Sequence, residues 1–136
     1  MIRSSSGEVP FQTAFTDGTH AGVADLPVAK GGAGQGFGPH DLLEAAFATC
    51  LTMTVQMSAA KHGLPLTGVQ CEVRIDRSIQ GAATLHYALT FDGPLTAEQA
   101  AQLRDAASRC PVAKTLTGTI ALQPAGEAGA GRGGVE

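Results

Sequence analysis

From about His40 to His62 the chain carries apolar side chains on nearly every face of a would-be helix, with only Asp41, Glu44 and Lys61 carrying full charge. A helix of that kind is buried on most sides rather than laid on a surface. Its end is well marked. Lys61 and His62 suit the negative end of the helix dipole, Gly63 sits at the C-cap and Pro65 follows. The charge-free part, Ala45 to Ala60, is broken by Thr49, Thr52, Thr54, Gln56 and Ser58. A bilayer span needs about 20 predominantly apolar residues, so no membrane role is expected. The rest of the chain must therefore fold around this helix.

The flanking segments supply the cover. Phe11–Phe15 reads as a strand, Asp17-Gly18 as a hairpin turn, and Thr19–Asp25 as a second strand stopped by Pro27. Lys30–Pro39 holds five glycines in ten residues and is a loop without a phosphate-binding pattern. Val69–Arg77 and Thr84–Asp92 alternate apolar and polar residues, which predicts two antiparallel strands with one face buried. Leu85, Tyr87, Leu89 and Phe91 share one face of the second. Thr96-Ala97-Glu98-Gln99 matches a capping box and opens a helix with Ala100, Leu103, Ala107 and Cys110 on one stripe. Pro111 suits the first turn of a further short helix, and Thr117–Leu122 reads as a last strand. The order ββαββααβ predicts an α+β domain, a curved antiparallel sheet around a long buried central helix. One half-sheet cannot cover so apolar a helix, so we expect an intertwined homodimer with both central helices between two sheets.

At 136 residues the chain makes one domain, over 1–123, with 1–10 loosely ordered and 124–136 a flexible Gly-rich tail. The net charge of −3 provides no basic footprint, so nucleic acid is not an expected partner. Three cysteines argue against a secreted disulfide framework, and Met1–Gly7 lacks a signal-peptide core. The expected compartment is a reducing cytoplasm, where a usable disulfide is catalytic more often than structural.

Each cysteine has a bland reading as a small buried hydrophobe. Cys71 shares strand parity with Val73 and Ile75, and for it that reading wins. Cys50 and Cys110 both fall on core-facing helical lines, and together they point to a redox pair. Leu43, Phe47, Met53 and Met57 lie near Cys50 on the helix and offer a soft apolar pocket. His62 and His86 have no second ligand at metal spacing, so no metal site is expected.

Gly38-Pro39-x-x-Leu42-Leu43-x-Ala45-Ala46-x-Ala48-x-Cys50, with Met53-Thr54, Lys61-x-Gly63-Leu64-Pro65-Leu66 and Cys110-Pro111-Val112, resembles the osmotically inducible protein C / organic hydroperoxide resistance (OsmC/Ohr) family. Ala24-Asp25-Leu26-Pro27 and Gly31-Gly32 are similar to its OsmC-like branch. The resemblance covers about residues 11–123. It implies an OsmC-like fold, a homodimer with active sites at the subunit interface, and a thiol peroxidase acting on organic hydroperoxides. By this resemblance Cys50 is the peroxidatic thiolate, and Cys110 resolves its sulfenic acid to a disulfide. No cofactor is bound, and an external lipoyl-type dithiol restores the thiols. Where the hydroperoxide-resistance branch uses an arginine from the N-terminal strands and a glutamate after the Gly-Pro step, this chain has only Arg3 before Cys50, and His40 at the glutamate position. Asp41, His40 and His20, with Lys30, are the candidate supporting groups. Two other readings stay open: a dimeric module holding a small hydrophobic ligand in an apolar interface pocket, and a scaffold without a small-molecule role.

Overall fold

Residues 1–126 are described by a computed structural model of the chain. Helix α1 spans Pro39–His62. Pro39 occupies its first position, where a missing N–H costs nothing. The Asp41 carboxylate accepts the Gly38 N–H at 2.8 Å, which caps the first turn. At the other end Gly63 takes φ 63°, a left-handed conformation that glycine adopts without strain. There the Leu64 N–H reaches back to the Ala59 carbonyl at 2.9 Å.

One stripe of α1 is buried, Phe47, Leu51, Val55 and Ala59, each four residues from the last. It packs against β4 (Gly68–Asp76) and against α2 (Ala97–Ala107) and α3 (Pro111–Thr117). β4 pairs antiparallel with β5 (Thr84–Asp92), with Cys71 opposite Leu89 and Val73 opposite Tyr87. Glu44 locks helix to strand, its Oε2 accepting the Ile75 N–H at 2.7 Å. The expected capping box of α2 is present: Thr96 Oγ1 accepts the Gln99 N–H at 3.1 Å, and Gln99 Oε1 accepts the Thr96 N–H at 3.0 Å. Leu103, Ala107 and Cys110 then fall on the side facing α1 and have no exposed surface.

The N-terminal strands form a separate sheet, β1 (Arg3–Ser6), β2 (Thr13–Thr16) and β3 (Ala21–Ala24), in the order 1-2-3. Residues 3–6 were expected to be loose. They are a strand because β2 offers its backbone groups in register from Arg3 opposite Thr16 to Ser6 opposite Thr13. β2 starts at Thr13 rather than Phe11 because Phe11 has φ 71°, incompatible with an extended strand. The glycine loop after β3 is organised by Asp25, 3 % exposed. Its carboxylate accepts the N–H groups of Leu26 at 2.7 Å and Gln35 at 3.0 Å.

Three expectations need correction. Among the described residues there are two sheets rather than one, since β1–β3 and β4–β5 share no ladder. The central helix is buried along one stripe only, and Met53 and Met57 on its far side are 60 % and 72 % exposed. The last strand over 117–122 is absent: α3 takes Thr117, and the segment beyond finds no sheet edge within one chain, leaving Leu122 92 % exposed. α1 reaches the length and mean hydropathy, 1.2, of a helix able to cross a bilayer. That exceeds what its charge-free part alone suggests, although the helix packs here as a core element. The expected flexible tail lies, from residue 127 on, outside the described residues.

Candidate functional site

The two cysteines singled out from the sequence share one region of the core, where α1 packs against α2 and α3. Cys50 is half-buried on α1 and packs against the core cluster that contains Cys110. Cys110 is N-cap of α3, and its Sγ accepts the Ala113 N–H at 3.4 Å. Burial pushes the Cys110 thiol up; the Ala113 N–H opposes this, and the nearby Cys50 thiol adds to it. All three cysteines are free thiols. Cys71 lies on the helix-facing side of β4, its thiol raised first by burial and then by Cys110 and Glu72. It borders a groove of about 310 Å³ with Thr52, Met53 and Gln56.

The four expected pocket residues divide. Phe47 is buried and meets Tyr87 edge to face, with centroids 5.4 Å apart at 81°. These two rings line a cavity of about 370 Å³ together with Leu85, Ala113 and Leu116. The cavity adjoins both cysteines in sequence, since Phe47 precedes Cys50 by three residues and Ala113 follows Cys110 by three. No charged residue lines it. Leu43, Met53 and Met57 are instead exposed on the outward face of α1, at whose edge Cys50 is half-buried. Tyr87 and Leu116 were not foreseen at the site. Tyr87 was legible only as a member of the apolar face of β5.

The supporting groups are placed elsewhere. α1 begins ahead of Asp41, so nine residues of continuous helix turn Asp41 about 180° from Cys50. Its carboxylate serves the Gly38 N–H instead. His20 faces Asp17, with Nδ1 to Oδ2 at 2.9 Å, and His40 and Lys30 are exposed. Hydrogen bonds from the backbone and side chain of His20, then the Thr19 N–H, lower the Asp17 pKa to about 2. A depressed carboxylate stabilises the fold fully above its unfolded value of 3.8 and loses that support as pH falls through about 2. An NMR titration of the Thr19 and His20 amides is therefore expected to show a midpoint near 2. A midpoint at 3.8 would show that these bonds do not persist in solution.

Comparison with known proteins adds the family. The fold is similar to that of an OsmC-like protein from Mycoplasma pneumoniae, with a TM-score of 0.73, 20 % identity, and cover of 88 % of this chain and 87 % of that one. It is similar also to an organic hydroperoxide resistance protein OsmC from Legionella pneumophila, with a TM-score of 0.63, 22 % identity, and cover of 87 % and 88 %. The organic hydroperoxide resistance protein OhrB of Bacillus subtilis gives a TM-score of 0.59, 24 % identity, and cover of 88 % and 91 %. At such identities these likenesses show the fold. No curated protein matches the sequence. The profile of the OsmC-like protein family matches residues 32–124, a span that contains α1, Cys50, Cys110 and the residues lining the cavity, and the chain therefore belongs to that family.

Proposed function

We propose that this protein is a thiol peroxidase that reduces organic hydroperoxides to alcohols. The observation that carries the reading is the placement of Cys50 against the core cluster that holds Cys110, with an uncharged, aromatic-lined cavity whose residues Phe47 and Ala113 lie three positions from the two cysteines. Cys50, as thiolate, attacks the distal oxygen of the hydroperoxide, the alcohol leaves, and a sulfenic acid remains. Cys110 attacks that sulfur and closes a disulfide with loss of water. A dithiol of the lipoyl type, not held by the protein, reopens it by exchange. The proposed setting is a reducing cytoplasm, the compartment in which such a disulfide would be cycled rather than kept.

The active unit in this reading is a homodimer. Two uncovered surfaces support it: the outward face of α1 that carries Leu43, Met53 and Met57, and a three-stranded N-terminal sheet in which no residue is buried. Such a sheet needs a covering layer to be stable. Sedimentation at micromolar concentration is expected to give twice the 13.8 kDa chain mass, with an interface above about 2,000 Å². A monodisperse single chain would remove the dimer from the proposal.

A second reading, a module that holds a small hydrophobic ligand without catalysis, is favoured by one observation: the cavity offers only apolar and hydroxyl contacts. Turnover separates the two. With dithiothreitol or dihydrolipoamide present, cumene hydroperoxide is expected to be consumed faster than hydrogen peroxide, because only the former buries apolar surface beside Phe47 and Tyr87. Cys110→Ser is expected to complete one turnover and stop with a dimedone-reactive Cys50. Equal rates for the two peroxides would remove the apolar pocket from the mechanism, and free-thiol counts unchanged by either peroxide would favour the binding module.

A further inference from the structure

The reduction of a hydroperoxide needs a proton as well as a thiolate, because an alkoxide is a poor leaving group until it is protonated. The acids carried by α1 are engaged elsewhere. Asp41 faces away from Cys50 and caps the helix, and Glu44 is bound to the Ile75 N–H. Cys110, by contrast, belongs to the core cluster against which Cys50 packs and is wholly shielded from solvent. Burial holds its proton in place at neutral pH. The sulfur is also prepared for losing it, since the Ala113 N–H donates to Sγ at 3.4 Å and favours its charged form.

We propose that Cys110 acts before it resolves: its S–H is the acid that protonates the departing oxygen as Cys50 attacks, so one proton transfer frees the alcohol and turns Cys110 into the nucleophile for the next step. The inference rests on the peroxidase reading and gives Cys110 an earlier role within it. The step balances. The Cys50 thiolate bonds to the distal oxygen, the O–O bond breaks, and its electron pair goes to the proximal oxygen, which takes the Cys110 proton. Cys50 is left as sulfenic acid and Cys110 as thiolate, held by the Ala113 N–H. That thiolate attacks the Cys50 sulfur and expels hydroxide. The hydroperoxide gains two electrons, and the two sulfurs lose them as a disulfide. A thiol that only resolves would leave the first step indifferent to its removal. An acid would not.

The test is a single-turnover measurement on the full chain without dithiol, with Cys50 oxidation followed by quenching and mass spectrometry. Two peroxides are compared in the parent protein, Cys110→Ala and Cys110→Ser. Cumene hydroperoxide releases an alkoxide that needs a proton, and peracetic acid releases acetate, which does not. Loss of the acid in Cys110→Ala is expected to slow Cys50 oxidation by cumene hydroperoxide about tenfold or more, while peracetic acid changes by less than about twofold. Cys110→Ser, which keeps an O–H donor, is expected to retain more of the cumene hydroperoxide rate than Cys110→Ala. The peracetic acid arm also reports whether each variant keeps a formed site. An unchanged cumene hydroperoxide rate in Cys110→Ala overturns the proposal and leaves the peroxidase reading standing. Equal slowing with both peroxides, or a serine variant no faster than the alanine one, overturns it as well. A parent protein whose Cys50 is oxidised by neither peroxide sinks both.

Discussion

Cys50→Ser is expected to abolish hydroperoxide consumption, leaving only the background rate of the dithiol itself. The effect should be total because the cycle has one atom that touches the peroxide. A hydroxyl at that place is not ionised at neutral pH and lacks the polarisable lone pairs that make a thiolate attack oxygen. Cys71→Ser is the matched control. Cys71 is also raised by burial and also lies near Cys110, so it tests whether proximity to the pair is enough for a role. It is expected to keep turnover and to lose about 1–3 kcal/mol of stability, the cost of placing a hydroxyl against the core face of β4. The measurement is the rate of cumene hydroperoxide loss at saturating dithiothreitol. A serine variant at position 50 as active as the parent would end the enzyme reading, and a hydrophobic-ligand module would take its place.

Leu103→Ala should produce a large loss of stability. Leu103 has no exposed surface and packs with Leu51 and Val55 of α1, also wholly buried. Truncation there removes the transfer energy of three carbons and leaves a void that a helix pinned by a capping box cannot close, at a cost of about 2–5 kcal/mol. For a domain of this size that is a fall in Tm of roughly 10 °C or more. Leu122→Ala is the contrast, since Leu122 is 92 % exposed in the single chain. It should change stability by less than about 0.5 kcal/mol if that surface meets only water. A cost similar to that of Leu103→Ala would show that Leu122 is covered in solution by a second chain. A loss below about 1 kcal/mol at Leu103 would contradict the core described here.

The parts of the fold that could be read in advance are those whose reasons are local. The α2 capping box, the Gly63 stop and the period-two faces of β4 and β5 are written in residues close together in the chain. The strand over Arg3–Ser6 could not be read that way. Its run of serines has no apolar pattern, and its order comes from the β2 backbone about ten residues away. The failed strand over 117–122 has the right residues, but a strand also needs an edge to pair with, and no local pattern specifies one. At the site, the spacing of apolar positions brought Cys50 and Cys110 into view together. Asp41 misled for a geometric reason: whether it could reach Cys50 depended on where α1 begins, and helix starts are uncertain by a residue or two from sequence alone. Tyr87 entered the site through the strand register, which sets it opposite Val73 and against Phe47.

The sulfur of Cys110 is also the acceptor that starts α3, through the N–H of Ala113. A thiol, a thiolate and a disulfide sulfur differ in how strongly they accept that bond, the thiolate most of all. The opening turn of α3 is thus wired to the electron count of the pair. Whatever changes the bonding of that one atom also changes how firmly Pro111–Thr117 begins, and with it the wall that Ala113 and Leu116 present to the cavity.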